Sequence, residues 1–287
     1  MLGDWLHQLV DEWLGDAGMI TSVSYSNRGA TYVGETLTAT ATITTFDAAS
    51  GALEIDVAIC NEAGESVAPG TVNQPKPAQY IAEFLGTAFL FCAVVGSGIM
   101  GAELSMGNDA IALLGNTFAT VFALYFLITV FMEHSTHFNP AVSLVMRLRG
   151  EISSATLIKF SVLQIGGAIL GVILANYIFG IEPIQFSDKD RSGTFKFVSE
   201  IFATFGLVLV ILLSSKEKVA MTVAAYIGGA YWFTSSTSFA NPAGTIGRSF
   251  SNTFAGISPS DILHFCIAQV IGAILAYTLH KNFFENR

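Results

Sequence analysis

From residue 80 onward the chain reads as six apolar stretches separated by short polar breaks: roughly Tyr80–Gly101, Ile111–Met132, Ala155–Phe179, Phe195–Ser214, Val219–Phe233 and Ile262–His280. Most reach the ~20 residues a helix needs to cross ~30 Å of hydrocarbon. The fifth is short, and Thr234 to Thr237 are expected to extend it. Before residue 77 the pattern changes. Trp5, Leu6, Leu9, Trp13 and Leu14 recur at helical spacing, whereas Thr36 to Thr44 alternates with period two, as do Leu53, Ile55, Val57 and Ile59. Asn61-Glu62-Ala63-Gly64 reads as a turn into Glu65 to Val72, and Gln74-Pro75-Lys76-Pro77 as a stiff linker. The pattern predicts a small α+β domain over 1–77, one helix and three antiparallel strands, followed by an α-helical membrane domain over 78–287.

Two further segments are too short to cross a bilayer alone. Asn139-Pro140-Ala141 lies between the second and third spans, and the same tripeptide, Asn241-Pro242-Ala243, lies between the fifth and sixth. Asparagine caps a helix start, and proline just inside it loses no needed N–H. Each tripeptide therefore starts a re-entrant half-helix (Val142 to Leu148, and Thr245 to Phe254), which a bilayer tolerates only where protein or a water-filled pore satisfies its backbone. The two halves also repeat. Glu83-Phe84-Leu85-Gly86-Thr87 matches Glu200-Ile201-Phe202-Ala203-Thr204, and Gln164 to Leu170 matches Gln269 to Leu275. Three spans per copy is an odd number, so the second copy is inverted, with a site expected near the midplane.

Composition sharpens this picture. The 287 residues are 52% hydrophobic and 12% charged, as in membrane proteins. Ten of the 22 Asp and Glu, but only Arg28 of the 13 basic residues, precede Lys76. That segment therefore carries the whole net charge of −9, and the remainder balances twelve against twelve. Nucleic acid is not an expected partner. Cys60, Cys92 and Cys266 share no ligand spacing and read as small buried hydrophobes, so no metal and no cofactor are expected. With the N-terminus inside, eight Lys and Arg fall on the cytoplasmic side against four outside, favouring cytoplasmic N- and C-termini in a multi-pass protein of the bacterial inner membrane.

The paired Asn-Pro-Ala boxes in six spans, the His137-Phe138 pair before the first box and the intramembrane Glu83 and Glu200 resemble the aquaporin (major intrinsic protein) family over roughly 78–285. The resemblance implies a six-span right-handed bundle with two re-entrant half-helices meeting at mid-membrane, and a homotetramer with one pore per protomer. Asn139 and Asn241 would offer N–H donors at the pore centre, between two helix ends of about +0.5 charge each that repel cations. Neutral hydroxylated solutes suit that environment. Glu83 and Glu200, with Gln164 and Gln269, read as braces that accept backbone N–H bonds from the re-entrant loops. His137 is placed in the cytoplasmic vestibule, and His134 is the weaker candidate.

Most members carry arginine directly after the second box, where this chain has Gly244. Counting without gaps gives Ala119, Gly229, Ser238 and Gly244 as the outer filter, all small and uncharged, so a widened filter is expected. The branch resembled is bacterial, is associated with arsenic-resistance clusters and has substituted filters. Glycerol-like polyols, trivalent metalloid acids such as arsenous acid, urea and water are the expected solutes. Arg248, one turn beyond Gly244, has two readings. It is a displaced outer-mouth charge, or a structural group bonding loop carbonyls or pairing with Asp109 or Glu103. The segment Tyr32 to Leu37 with the Asn61–Gly64 turn more weakly resembles half of a hotdog-fold (MaoC-like) thioester hydratase whose catalytic segment would lie upstream. It is expected to be non-catalytic and to self-associate. No catalytic residue is assigned. A channel of mainly water character, a secondary carrier and a membrane-anchored hydratase or binding fusion are the competing readings.

Overall fold

The computed structural model describes Val10 and residues 22–25, 36–47, 52–62, 66–73 and 77–284. The chain divides into two compact units, one of Met1–Tyr80 with Met146–Lys159, the other of Ile81–Val145 with Phe160–Arg287.

The first unit holds an antiparallel sheet of four strands in the order β1-β4-β3-β2, where β1 is Ser22–Tyr25, β2 Thr38–Asp47, β3 Ala52–Cys60 and β4 Ser66–Asn73. Alternation on β3 sets its faces: Ile55, Val57 and Ile59 are buried while Asp56 between them is exposed. Strand β1 was not expected, because four residues are too few to show a period. Its pairing runs only from Ser22↔Asn73 to Tyr25↔Gly70, so Pro69, which has no N–H to give, lies just beyond its reach. The helix expected over Trp5 to Leu14 lies outside the described residues except for Val10, which is helical and buried.

From residue 77 onward the helices follow the apolar stretches closely. They are α1 (Pro77–Leu104), α2 (Asp109–Phe131), α3 (Pro140–Leu148), α4 (Ser154–Ile178), α5 (Thr194–Leu213), α6 (Val219–Phe233), α7 (Pro242–Arg248) and α8 (Ile262–Phe283). Helices α1, α2, α4, α5 and α8 are long and apolar enough to cross a membrane, and α6 is a shorter apolar helix. The expected extension of α6 does not form. Thr234 leaves the helical region, its N–H and hydroxyl both bond Ala230 O, and the next residues make a turn with Thr237 N donating to Thr234 O. Helix α7 is also shorter than expected, ending at Arg248. Ser249, Phe250 and Ser251 donate to carbonyls three residues back, and the Ser249 hydroxyl takes Ile246 O.

Glycines set the helix contacts, and the repeat is visible in them. A Cβ on Gly167 would lie 2.4 Å from Phe84 O, and one on Gly272 would lie 2.3 Å from Ile201 O. Each glycine stands three residues after its glutamine (Gln164, Gln269), and each carbonyl stands one after its glutamate (Glu83, Glu200). Equivalent positions of the two halves thus make the same backbone-close crossing. Aromatic residues such as Phe118, Phe122, Tyr125 and Phe126 on α2 face outward and are exposed.

Candidate pore and its outer constriction

The two boxes are locked to each other through their asparagines. Asn139 Oδ1 accepts Ala141 N at 2.9 Å and Asn241 Oδ1 accepts Ala243 N at 3.0 Å, so each caps its own half-helix. One amide N–H of each then crosses over: Asn139 Nδ2 donates to Ala240 O at 2.7 Å, and Asn241 Nδ2 to Phe138 O at 2.8 Å. An asparagine amide carries two N–H groups. One on each residue therefore stays uncommitted among the described residues, at the junction of α3 and α7.

The reciprocal lock requires Phe138 and Ala240 to turn their carbonyls toward the opposite box, and both adopt left-handed backbone, with φ of 48° and 46°. Such a conformation costs a non-glycine residue about 1–2 kcal/mol. Two buried carboxylates hold it. Glu83 accepts His137 N and Phe138 N, each at 2.8 Å, and the Ser135 hydroxyl. Glu200 accepts Phe239 N and Ala240 N, each at 2.9 Å. Gln164 Nε2 bridges Glu83 and Ser143 Oγ, while Gln269 Nε2 bridges Glu200 and Thr245 Oγ1. Ser143 and Thr245 each stand four residues after their asparagine, so the bracing is repeated element for element. His137 is tied into it as well. Its Nδ1 lies 3.0 Å from Ser143 Oγ and its ring packs edge-on against Phe160, half-buried, while His134 is exposed.

The expected filter residues are brought together only in part. Ser238 is buried with φ of 49°, and its hydroxyl has no partner among the described residues. Gly229 does not join it. Helix α6 buries Ala220, Val223, Ala224, Ile227, Ala230 and Tyr231 on one face, and Gly229 lies on the opposite, exposed face with Met221 and Phe233. Ala119 sits at the flank of α2, whose buried face carries Asn116, Thr117 and Thr120. For Gly229, a gapless count back from the second box fails because the turns between Phe233 and Asn241 change the helical phase. The inward residues are Tyr231 and Thr120, joined by a hydroxyl bond of 3.3 Å. The cluster Asn116, Thr117 and Thr120 in a mostly apolar span is the signal that the sequence offers.

Gly244 also departs from the expected widening. A Cβ there would lie 2.1 Å from Phe91 Cζ, so the space left by the missing side chain is taken by the Phe91 ring rather than left open.

Charge gathers around the segment that follows α7. Arg248 Nε donates to Ala255 O at 2.6 Å, Arg191 Nε to Gly256 O at 2.7 Å, and Lys189 Nζ to Phe254 O at 2.7 Å. Both guanidiniums lie over the Phe239 ring, Arg248 at 3.4 Å and Arg191 at 4.8 Å from its centroid. Asp261 accepts the backbone N of Arg191. Burial, then repulsion from Arg191 and Arg248, pushes Lys189 down to about 8. In the unfolded chain it stays protonated to about 10.4. Between those values the unfolded state binds more protons, so this residue's penalty is full below pH 8 and is relieved as pH rises. The thermal unfolding midpoint of the detergent-solubilised protein should therefore gain less between pH 8 and 10 in Lys189→Met than in the parent. Equal pH slopes would contradict the assignment.

Five long apolar helices, a sixth shorter one and two half-helices joined head to head define a polytopic membrane channel. The comparisons place it further. The model of the major intrinsic protein family matches residues 72–232, a range that closes before the second box. The chain is 47% identical over 205 residues to the aquaglyceroporin AqpS of Rhizobium meliloti, covering 70% of this chain and 88% of that protein. It is 30% identical over 167 residues to glycerol uptake facilitator protein 3 of Lactiplantibacillus plantarum, covering 50% and 66% respectively. The X-ray structure of the aquaglyceroporin from Plasmodium falciparum shares the fold, with a TM-score of 0.56, 17% identity and coverage of 73% of this chain and 97% of that one. The chain belongs to the major intrinsic protein family. It is an integral membrane channel and not an enzyme.

Proposed function

We propose that the protein is a passive channel for small neutral solutes: glycerol-like polyols, urea, water and uncharged trivalent metalloid acids such as arsenous acid. The observation that carries this reading is the asparagine lock, which leaves one N–H on Asn139 and one on Asn241 uncommitted where the half-helices meet. A passing oxygen accepts from these donors in place of water, and the fixed geometry breaks a proton-conducting file of waters. The similarity to an aquaglyceroporin supports solutes larger than water. His137 lines the entry on the first-box side. Four protomers form a homotetramer with four separate pores in the inner membrane. The termini are cytoplasmic, and the 1–77 segment is a self-associating, non-catalytic module.

Stopped-flow light scattering of proteoliposomes tests the solute range. Permeability to water, glycerol, urea and arsenous acid should each exceed that of protein-free vesicles. A rise for water alone would replace this reading with that of a water channel.

A further inference from the structure

We propose that Arg248 sets solute selectivity at the constriction beside the second box, supplying from one turn further along α7 the guanidinium that position 244 lacks. The inference rests on the channel reading above.

Three features distinguish Arg248 from a merely structural arginine. Its Nε is anchored on Ala255 O and its plane lies over Phe239 at 3.4 Å, which fixes the orientation of the guanidinium. Its two terminal amino groups have no hydrogen-bond partner among the described residues, although only 5% of the residue's surface is exposed. A buried arginine kept for structure alone would use those donors. Finally, its stacking partner Phe239 is held by the second brace, since Glu200 accepts Phe239 N at 2.9 Å, so the guanidinium is tied to the geometry of the second box. The other cations are committed differently: Lys189 Nζ is bonded to Phe254 O, and Arg191 uses Nε and Nη2 on Gly256 O and Phe254 O. They add to the positive field, while Arg248, of these three, keeps both terminal nitrogens unpaired among the described residues.

The chemistry of that pair defines the solute class. A guanidinium offers a planar fork of donors that meets two oxygens at once. A neutral solute with neighbouring hydroxyls is held at both, whereas a cation meets a positive charge. Phe91, filling the space beside Gly244, closes the route a side chain at 244 would use. The constriction is thus rebuilt rather than removed.

The test compares Arg248→Ala and Arg248→Lys with the parent in proteoliposomes, reading potassium leak and the ratio of glycerol to water permeability. Arg248→Ala should raise the leak about tenfold, equivalent to about 1.4 kcal/mol, and lower the ratio. Arg248→Lys should keep the cation barrier but still lower the ratio, because an ammonium has the charge without the fork. Parental leak and ratio in Arg248→Ala would overturn the proposal. If that variant does not assemble, an unchanged ratio in Arg248→Lys overturns it equally. Failure of the underlying reading shows separately, as a parent protein that passes no neutral solute, and would remove this proposal with it.

Discussion

Glu200→Ala should abolish assembly of the channel. The carboxylate accepts Phe239 N, Ala240 N and Gln269 Nε2 within a fully buried site. Alanine leaves three buried donors without acceptors, at about 1–3 kcal/mol each. The total is about 3–9 kcal/mol, against a typical whole-protein stability of about 5–15 kcal/mol. It also removes what holds Ala240 at φ of 46°, and with it the carbonyl that Asn139 uses. Glu200→Gln keeps one oxygen acceptor but turns an amide donor toward a neighbouring donor, so an intermediate loss is expected. Size-exclusion chromatography in detergent and the thermal midpoint read both variants. A monodisperse Glu200→Ala protein with the parental midpoint would show that the carboxylate does not brace the loop.

Gly244→Arg should be the most damaging single change at the constriction, although it installs the residue that the family resemblance leads one to expect there. The new Cβ would begin 2.1 Å from Phe91 Cζ, and Phe91 is packed in the main core cluster with 5% of its surface exposed. Overpacking typically costs 1–3 kcal/mol, occasionally more, and the rest of the arginine must follow through the same space. Loss of assembly or of glycerol flux is expected. Adding Phe91→Ala opens that space, so the double variant should regain assembly with an interaction energy of about 1–3 kcal/mol, as expected for residues in contact. Parental stability and flux in Gly244→Arg alone would mean that the ring yields freely.

The sequence made the membrane helices legible because hydropathy needs no tertiary knowledge: α1, α2, α4 and α8 lie within a few residues of their apolar stretches. The repeat was legible for a similar reason, since Glu83 and Glu200, or Gln164 and Gln269, keep their order in the chain. The constriction was not. Its side chains depend on helical phase across a break, and the turns from Thr234 to Ala240 contain three left-handed residues, Thr237, Ser238 and Ala240, that no residue count resolves. A residue count therefore points to Gly229, whereas Tyr231 occupies the inward position. Gly244 misled differently. A missing side chain reads as open space, but in a packed interior a distant residue such as Phe91 takes that volume. Strand β1 leaves no period in the sequence, because it is four residues long and pairs only along β4.

The central claim is that neutral solutes pass through a fixed pore whose narrow centre is the Asn139–Asn241 junction. Its most direct test is glycerol flux into proteoliposomes as a function of glycerol concentration, with and without an imposed proton gradient. The account predicts flux proportional to the gradient, free of saturation at low concentration and indifferent to protons. Flux that saturates at low concentration, or that needs the proton gradient, would contradict it and indicate a carrier.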